Sequence, residues 1–132
     1  LSLLKKVETC GQAWSVSAVA SIAGIEALKC CNFVRESLKK INLEKAFLLS
    51  ELKNLNIEVI GKEANYIFFY CSDCALYLEL QKKGILIRQC QNYNNLDGGY
   101  YRISVRTHSE NKCLISALKE IMEERGGAWE RQ

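Results

Sequence analysis

Apolar residues in the first half of the chain follow a helical pattern in two successive segments. Residues 14–31 are rich in alanine and other small residues, with apolar side chains at helical spacing. From about Phe33 to Asn54, apolar residues recur in steps of three and four, interrupted only by Lys45. A coiled coil fits this spacing, but the pattern lasts only about three heptads. The spacing therefore favours a long amphipathic helix that packs one face on a core.

The second half of the chain alternates between short strand-like segments and helical ones. The predicted strands are Ile57–Ile60, Tyr66–Cys71, Ile85–Arg88 and Tyr100–Arg106. Helices are predicted over Cys74–Lys83, which Gly84 ends, and after Thr107, which forms a capping-box pattern with Glu110 and starts a helix that ends at Gly126. This order predicts an α/β fold of the α+β sandwich type. It has two long N-terminal helices, a small four-stranded sheet covered by helices, and a C-terminal helix.

Length and composition fit one globular domain. We expect residues 1–132 to form this domain, with residues 1–13 as the end of a linker segment and residues 126–132 as a tail. The chain opens on Leu1, in what resembles the end of a helix, so we expect it to be the C-terminal fragment of a longer chain.

Charge and cysteine content exclude some classes of partner. The net charge is +3 and the basic residues are scattered, which argues against nucleic-acid binding. No segment approaches the ~20 consecutive apolar residues of a membrane helix. Seven cysteines without a signal-peptide pattern indicate a reducing compartment, so we expect a cytoplasmic protein.

Two arginines are the strongest candidates for ligand binding. Strand alternation directs Tyr101 and Ile103 to the core and Arg102 to the opposite face. Arg88 ends the preceding predicted strand. A guanidinium group holds a carboxylate or phosphate through parallel hydrogen bonds. The alternative is that both arginines form ordinary salt bridges with some of the fifteen acidic residues.

Other residues with chemical potential give weaker signals. Cys71 and Cys74 have the spacing of a redox pair or half a zinc site, but two further ligands at suitable spacing are missing, so buried thiols are the preferred interpretation and no metal is expected. His108, the single histidine, stands at a helix start, where a solvated residue is a better interpretation than a general base. A glycine pattern that would cradle a phosphate does not occur in the sequence.

Several motifs together resemble the C-terminal part of fold-type-I pyridoxal-phosphate enzymes. They are Ala13-Trp-Ser-Val-Ser17, Glu63-Ala-Asn-Tyr66, Gly84-Ile-Leu-Ile-Arg88-Gln-Cys90-Gln-Asn92-Tyr93 and Gly99-Tyr-Tyr-Arg102-Ile-Ser-Val-Arg106-Thr107-His-Ser-Glu110-Asn111. The resemblance covers roughly residues 3–123 and is most specific from Arg88 to Asn111. It is strongest to the threonine-phosphate decarboxylases of cobalamin biosynthesis and the histidinol-phosphate aminotransferases. The Arg-x-Cys-x-Asn-Tyr and Val-Arg-Thr segments favour the decarboxylases. Ala13 departs from the proline of the family pattern.

The resemblance implies a role for each arginine and a cofactor. Arg102 matches the arginine that binds the substrate α-carboxylate, and Arg88 matches one close to the substrate, near its phosphate. The family's Schiff-base lysine follows Ser or Thr, and none of the twelve lysines here does. We therefore expect pyridoxal phosphate, the catalytic lysine and a large domain in an N-terminal part of a full-length homodimer, with a phosphorylated amino acid as substrate.

Three other functions remain open from the sequence. The first is an aminotransferase domain of the histidinol-phosphate type. The second is a non-catalytic α/β module that binds small anions through Arg88 and Arg102. The third is a thiol or metal module built on Cys71 and Cys74.

Overall fold

The computed structural model describes residues 2–11, 16–72 and 75–124. The helices in these ranges are α1 (Ser2–Cys10), α2 (Ala18–Leu28), α3 (Cys31–Asn54), α4 (Leu76–Lys82) and α5 (His108–Glu124). The strands are β1 (Glu58–Gly61), β2 (Tyr66–Tyr70), β3 (Arg88–Gln89) and β4 (Tyr100–Ser104). Helices combined with a small four-stranded sheet confirm the predicted fold class. The chain forms two compact units, Leu1–Glu36 and Ser37–Gln132, and the expectation of a single domain stays a prediction.

The first unit contains α1 and α2, and none of their described side chains is buried. Helix α2 begins where the Ser17 side chain accepts a hydrogen bond from the Ala20 N–H at 3.2 Å. Its large apolar side chains are exposed, Val19 at 77% and Ile22 at 63%. A helix that is apolar all round is normally covered by other protein. Among the described residues, no helix combines the length and hydropathy that a membrane crossing requires.

The predicted segments near both ends of the chain lie partly outside the described residues. The start of the helix predicted from Trp14 lies outside them, and its described part is α2. The segment expected to end a linker, residues 1–13, contains α1. The tail at residues 126–132 and the glycines expected to end the last helix also lie outside the described part.

The second unit is built on an antiparallel sheet with the strand order β1-β2-β4-β3. Alternate side chains of the two central strands face the core, which explains the complete burial of Phe69 and Tyr101. Leu48 and Leu52 of α3 and Leu118 of α5 also belong to this core. The long helix predicted to end at Asn54 therefore buries part of its apolar stripe as expected.

One half of the predicted capping box is present at the start of α5: the Glu110 carboxylate bonds back to Thr107, whose hydroxyl donates to it at 2.5 Å instead of accepting from the Glu110 N–H. The backbone N–H of Thr107 donates to the Glu110 carboxylate at 3.2 Å, and the Thr107 C=O accepts from the Asn111 N–H at 2.9 Å. This geometry fixes where β4 ends and α5 begins.

The third strand differs from its prediction over Ile85–Arg88, because the ladder contains only Arg88 and Gln89. Helix α4 ends in a Schellman motif: Ile85 N–H donates to Leu80 C=O and Gly84 N–H donates to Gln81 C=O, both at 2.9 Å. Gly84 has a φ of 77°, which suits glycine. The next residues pack apolar side chains on the core in a strand-like alternation, but lack a ladder partner. Arg88 therefore begins the strand rather than ending it.

Candidate functional site

The sheet register brings the two predicted arginines together. Arg88 of β3 pairs directly with Arg102 of β4, and Arg102 pairs on its other side with Phe68 of β2. Directly paired residues of neighbouring strands project to the same face. The opposite face carries the core residues Tyr101 and Ile103. The predicted orientation of Arg102 is therefore confirmed.

Each guanidinium has a neutral neighbour. The Cζ atom of Arg102 lies 4.7 Å from the centre of the Tyr66 ring, which is a cation–π distance. The Arg88 Nη2 donates to the Asn92 Oδ1 at 3.1 Å. Within residues 2–11, 16–72 and 75–124, neither of these arginines forms an ion pair, so the salt-bridge alternative is not observed there. Arg106 is the arginine that does pair, with its Nη2 at 2.6 Å from Glu110.

A cavity of about 340 Å³ lies beside Arg102. It is lined by Gly61, Lys62, Glu63, Tyr66, Phe68, Cys90, Tyr93, Leu96 and Arg102. The walls combine aromatic and apolar side chains with two cationic ones, Arg102 and Lys62, and one carboxylate, Glu63. The charged lining is positive on balance, which suits a small ligand with an anionic group. The Asn-rich loop predicted over Gln91–Gly99 supplies part of the wall.

Cys90 lies in the same wall and is 1% exposed. Burial raises the pKa of its thiol, whereas the positive charges of Arg102 and Arg88 act in the opposite direction. The direction of this shift indicates that the thiol stays protonated at neutral pH.

The other candidates do not form a second reactive centre in the described residues. Cys71 is buried, as expected for a structural thiol, and Cys74 lies outside the described part. No group of three or more potential metal ligands occurs in that part, where Cys10, Cys30, Cys31, Cys90 and Cys113 are free thiols. His108 Nδ1 lies 3.2 Å from the Glu44 carboxylate, and its ring contacts Phe47 at 5.0 Å between centroids.

Sequence reasoning missed the structural role of Asn111. This side chain is 1% exposed; its Nδ2 donates to Glu44 Oε2 and to the Arg106 C=O, both at 2.9 Å. Its Oδ1 accepts from the Arg106 N–H at 3.1 Å. The available signal was its place in the apolar stripe of α5, three residues before Leu114. Tyr66 and Asn92 were quoted in motifs, but their contacts with the arginines were not predicted.

Comparisons with known proteins show which family this chain is similar to. The aminotransferase class I and II family matches residues 2–118. A threonine-phosphate decarboxylase from Salmonella typhimurium is 34% identical over 83% of this chain and 31% of its own length. A histidinol-phosphate aminotransferase from Methanosphaera stadtmanae is 29% identical over 91% of this chain and 34% of its own length.

Solved structures of related enzymes are also similar to this chain. The crystal structure of the histidinol-phosphate aminotransferase from Clostridium acetobutylicum superposes with a TM-score of 0.76 at 27% identity, over 93% of this chain and 38% of that protein. The chain spans about a third of the length of the curated relatives it matches.

Proposed function

This chain belongs to the aminotransferase class I and II family, and from this premise we propose that it is the C-terminal, substrate-clamping part of a pyridoxal-phosphate-dependent enzyme. The reaction we propose is decarboxylation of L-threonine O-3-phosphate in cobalamin biosynthesis, in the cytoplasm. The observation that carries the proposal is the cross-strand pair of Arg88 and Arg102, neither with a carboxylate partner in the described residues, of which Arg102 lines a cavity.

Each arginine has a separate task in this proposal. Arg102 binds the α-carboxylate of the substrate, because its guanidinium borders the cavity and offers parallel N–H donors. Arg88 lies directly opposite Arg102 on the neighbouring strand β3 and binds the phosphate. A decarboxylase must orient the carboxylate without stabilising its ground state too strongly, since only interactions that strengthen in the transition state accelerate the reaction.

The residues of this chain do not supply the lysine that would anchor the cofactor. Pyridoxal phosphate needs a lysine for its Schiff base, and Lys62, which lines the cavity, follows Gly61 rather than Ser or Thr. The arginine pair supplies donors for anions but no amine nucleophile. We therefore propose that a large domain of the full-length protein holds the cofactor, as family membership implies, and that the full-length protein is a homodimer.

Two features support a larger assembly. The curated relatives are about three times as long as this chain. Helix α2 is apolar all round and none of its residues is buried, as expected for a helix that other protein covers.

The choice of decarboxylase over aminotransferase rests on residues that contact the site. Cys90 and Asn92 belong to the Arg-x-Cys-x-Asn-Tyr segment that favours the decarboxylases, and Asn92 bonds to Arg88. Aminotransfer with histidinol phosphate is the second candidate, supported by relatives of similar identity.

The test uses the full-length protein loaded with pyridoxal phosphate. We expect release of carbon dioxide from O-phospho-L-threonine and no transfer of the amino group of histidinol phosphate to 2-oxoglutarate. Arg102→Leu should lower kcat/KM by about 10- to 100-fold, the effect of losing hydrogen bonds to a charged group. Arg106→Gln is the matched control, because Arg106 pairs with Glu110, and it should retain activity. Aminotransfer without decarboxylation would contradict the preferred reaction.

A further inference from the structure

Two like charges occupy directly opposed positions on neighbouring strands of the sheet. Arg88 and Arg102 are a cross-strand pair, an arrangement that destabilises a sheet. A carboxylate between them would remove this cost, yet the groups that contact them are an amide and an aromatic ring. Glu63, which lines the same cavity, pairs with neither guanidinium in the described part of the chain.

Tyr66 lies where it orients Arg102. It pairs with Ser104 in the β2–β4 ladder, so it is the diagonal neighbour of Arg102 on the same face. A ring beneath the planar guanidinium restricts its orientation while the N–H groups at its edge stay available for hydrogen bonds. The contact therefore orders Arg102 without cancelling its charge.

Asn92 acts on Arg88 in a corresponding way. Its amide oxygen accepts one N–H of the guanidinium at 3.1 Å, and the other donors of that group are not used by this bond. An aspartate at this position would make a stronger bond, but it would also neutralise Arg88. The neutral amide orders the arginine and preserves its charge.

We infer that Tyr66 and Asn92 are positioning residues that orient Arg102 and Arg88 through neutral contacts, so that both positive charges remain available to an anionic ligand. This inference rests on the proposed anion-binding function of the pair. Its ligand class is a small compound with two negative charges, such as one carrying a carboxylate and a phosphate.

The experiment is an NMR titration of the ¹⁵N-labelled 132-residue chain, followed through the Nε–Hε signals of its arginines. The probes are inorganic phosphate, O-phospho-L-threonine and acetate. We expect the phosphorylated probes to bind more tightly than acetate and to shift the signals of Arg88 and Arg102. An unchanged amide spectrum away from the site shows that each variant is folded.

Variants at Tyr66 separate positioning from simple packing. Tyr66→Phe keeps the ring and should retain the affinity for O-phospho-L-threonine, whereas Tyr66→Leu should weaken it about two- to five-fold, the range of an exposed cation–π contact. Tyr66→Leu should also move the Arg102 Nε–Hε signal even without ligand, because the ring current is lost. An unmoved signal would overturn the role of Tyr66.

Variants at Asn92 give the sharper result. Asn92→Asp should weaken binding of the phosphorylated probe about ten-fold, more than Asn92→Ala does, because it adds a carboxylate to Arg88. A merely structural role predicts the opposite order, since the aspartate keeps and strengthens the bond. Equal or tighter binding by Asn92→Asp would overturn the inference.

Variants of the arginines themselves distinguish the positioning inference from the proposed anion-binding function. If Arg88→Leu and Arg102→Leu lose the phosphorylated probe while the Tyr66 and Asn92 variants keep it, the positioning inference is wrong and the proposed function stands. If both arginine variants bind like the wild type, anion binding by this pair is wrong as well. If the 132-residue chain binds no probe, the same titration of the full-length protein decides, and failure to bind there also overturns anion binding by the pair.

Discussion

Replacing Asn111 with alanine should be among the most destabilising single changes in the second unit. The side chain is 1% exposed and bonds to both the N–H and the C=O of Arg106, at the junction between β4 and α5. Losing these bonds leaves two backbone groups without their partner in a partly buried place, which costs about 2–3 kcal/mol in the free energy of unfolding. The bond to Glu44 should add little, because that carboxylate is accessible to water.

Urea unfolding followed by near-ultraviolet circular dichroism of tyrosine measures this change. All six tyrosines lie between residues 66 and 101, so the signal reports the second unit, whereas the two tryptophans are at positions 14 and 129. Asn94→Ala is the matched control, because Asn94 is exposed in the Asn-rich loop, and it should change the free energy by less than about 0.5 kcal/mol. A loss below about 1 kcal/mol for Asn111→Ala would refute the reasoning, since it would mean that water replaces both bonds at little cost.

Three further predictions follow from the same structure. Gly99→Ala should lower the free energy of unfolding by about 1–3 kcal/mol. Gly99 has a φ of 94°, and an added Cβ would lie 2.5 Å from the Cys71 carbonyl oxygen. An unchanged Tm in thermal unfolding would contradict this prediction. Hydrogen bonds from Arg106 and then Thr107 lower the pKa of Glu110 from 4.5 to about 2, so its stabilising contribution is complete above pH 4.5 and is lost as the pH falls towards 2. Glu110→Gln should therefore flatten the dependence of unfolding free energy on pH in this window, and an unchanged slope would count against the pairing. Ile22→Lys should leave the stability of this chain unchanged, because Ile22 is 63% exposed, but should impair assembly of the full-length protein in size-exclusion chromatography.

Local patterns in the sequence determined most of the secondary structure and one half of the site. Strand alternation fixed the orientation of Arg102, because successive side chains of a strand point to opposite faces whatever the strand pairs with. The bond between Thr107 and Glu110 at the helix start and the glycine at position 84 likewise act within a few residues of the chain, so their effect is visible in the sequence.

The tertiary structure decided which residues meet. Arg88 faces Arg102 because β3 begins two residues before Cys90 and pairs with β4 in one register, and no local pattern fixes the register between strands joined by a long loop. The contact of Tyr66 with Arg102 depends on the β2–β4 ladder in the same way. Residues far apart in sequence acquire their roles only when the ladders form. The sequence therefore identified the arginines, and the sheet ladders decided that they lie side by side, with Tyr66 and Asn92 as their neighbours.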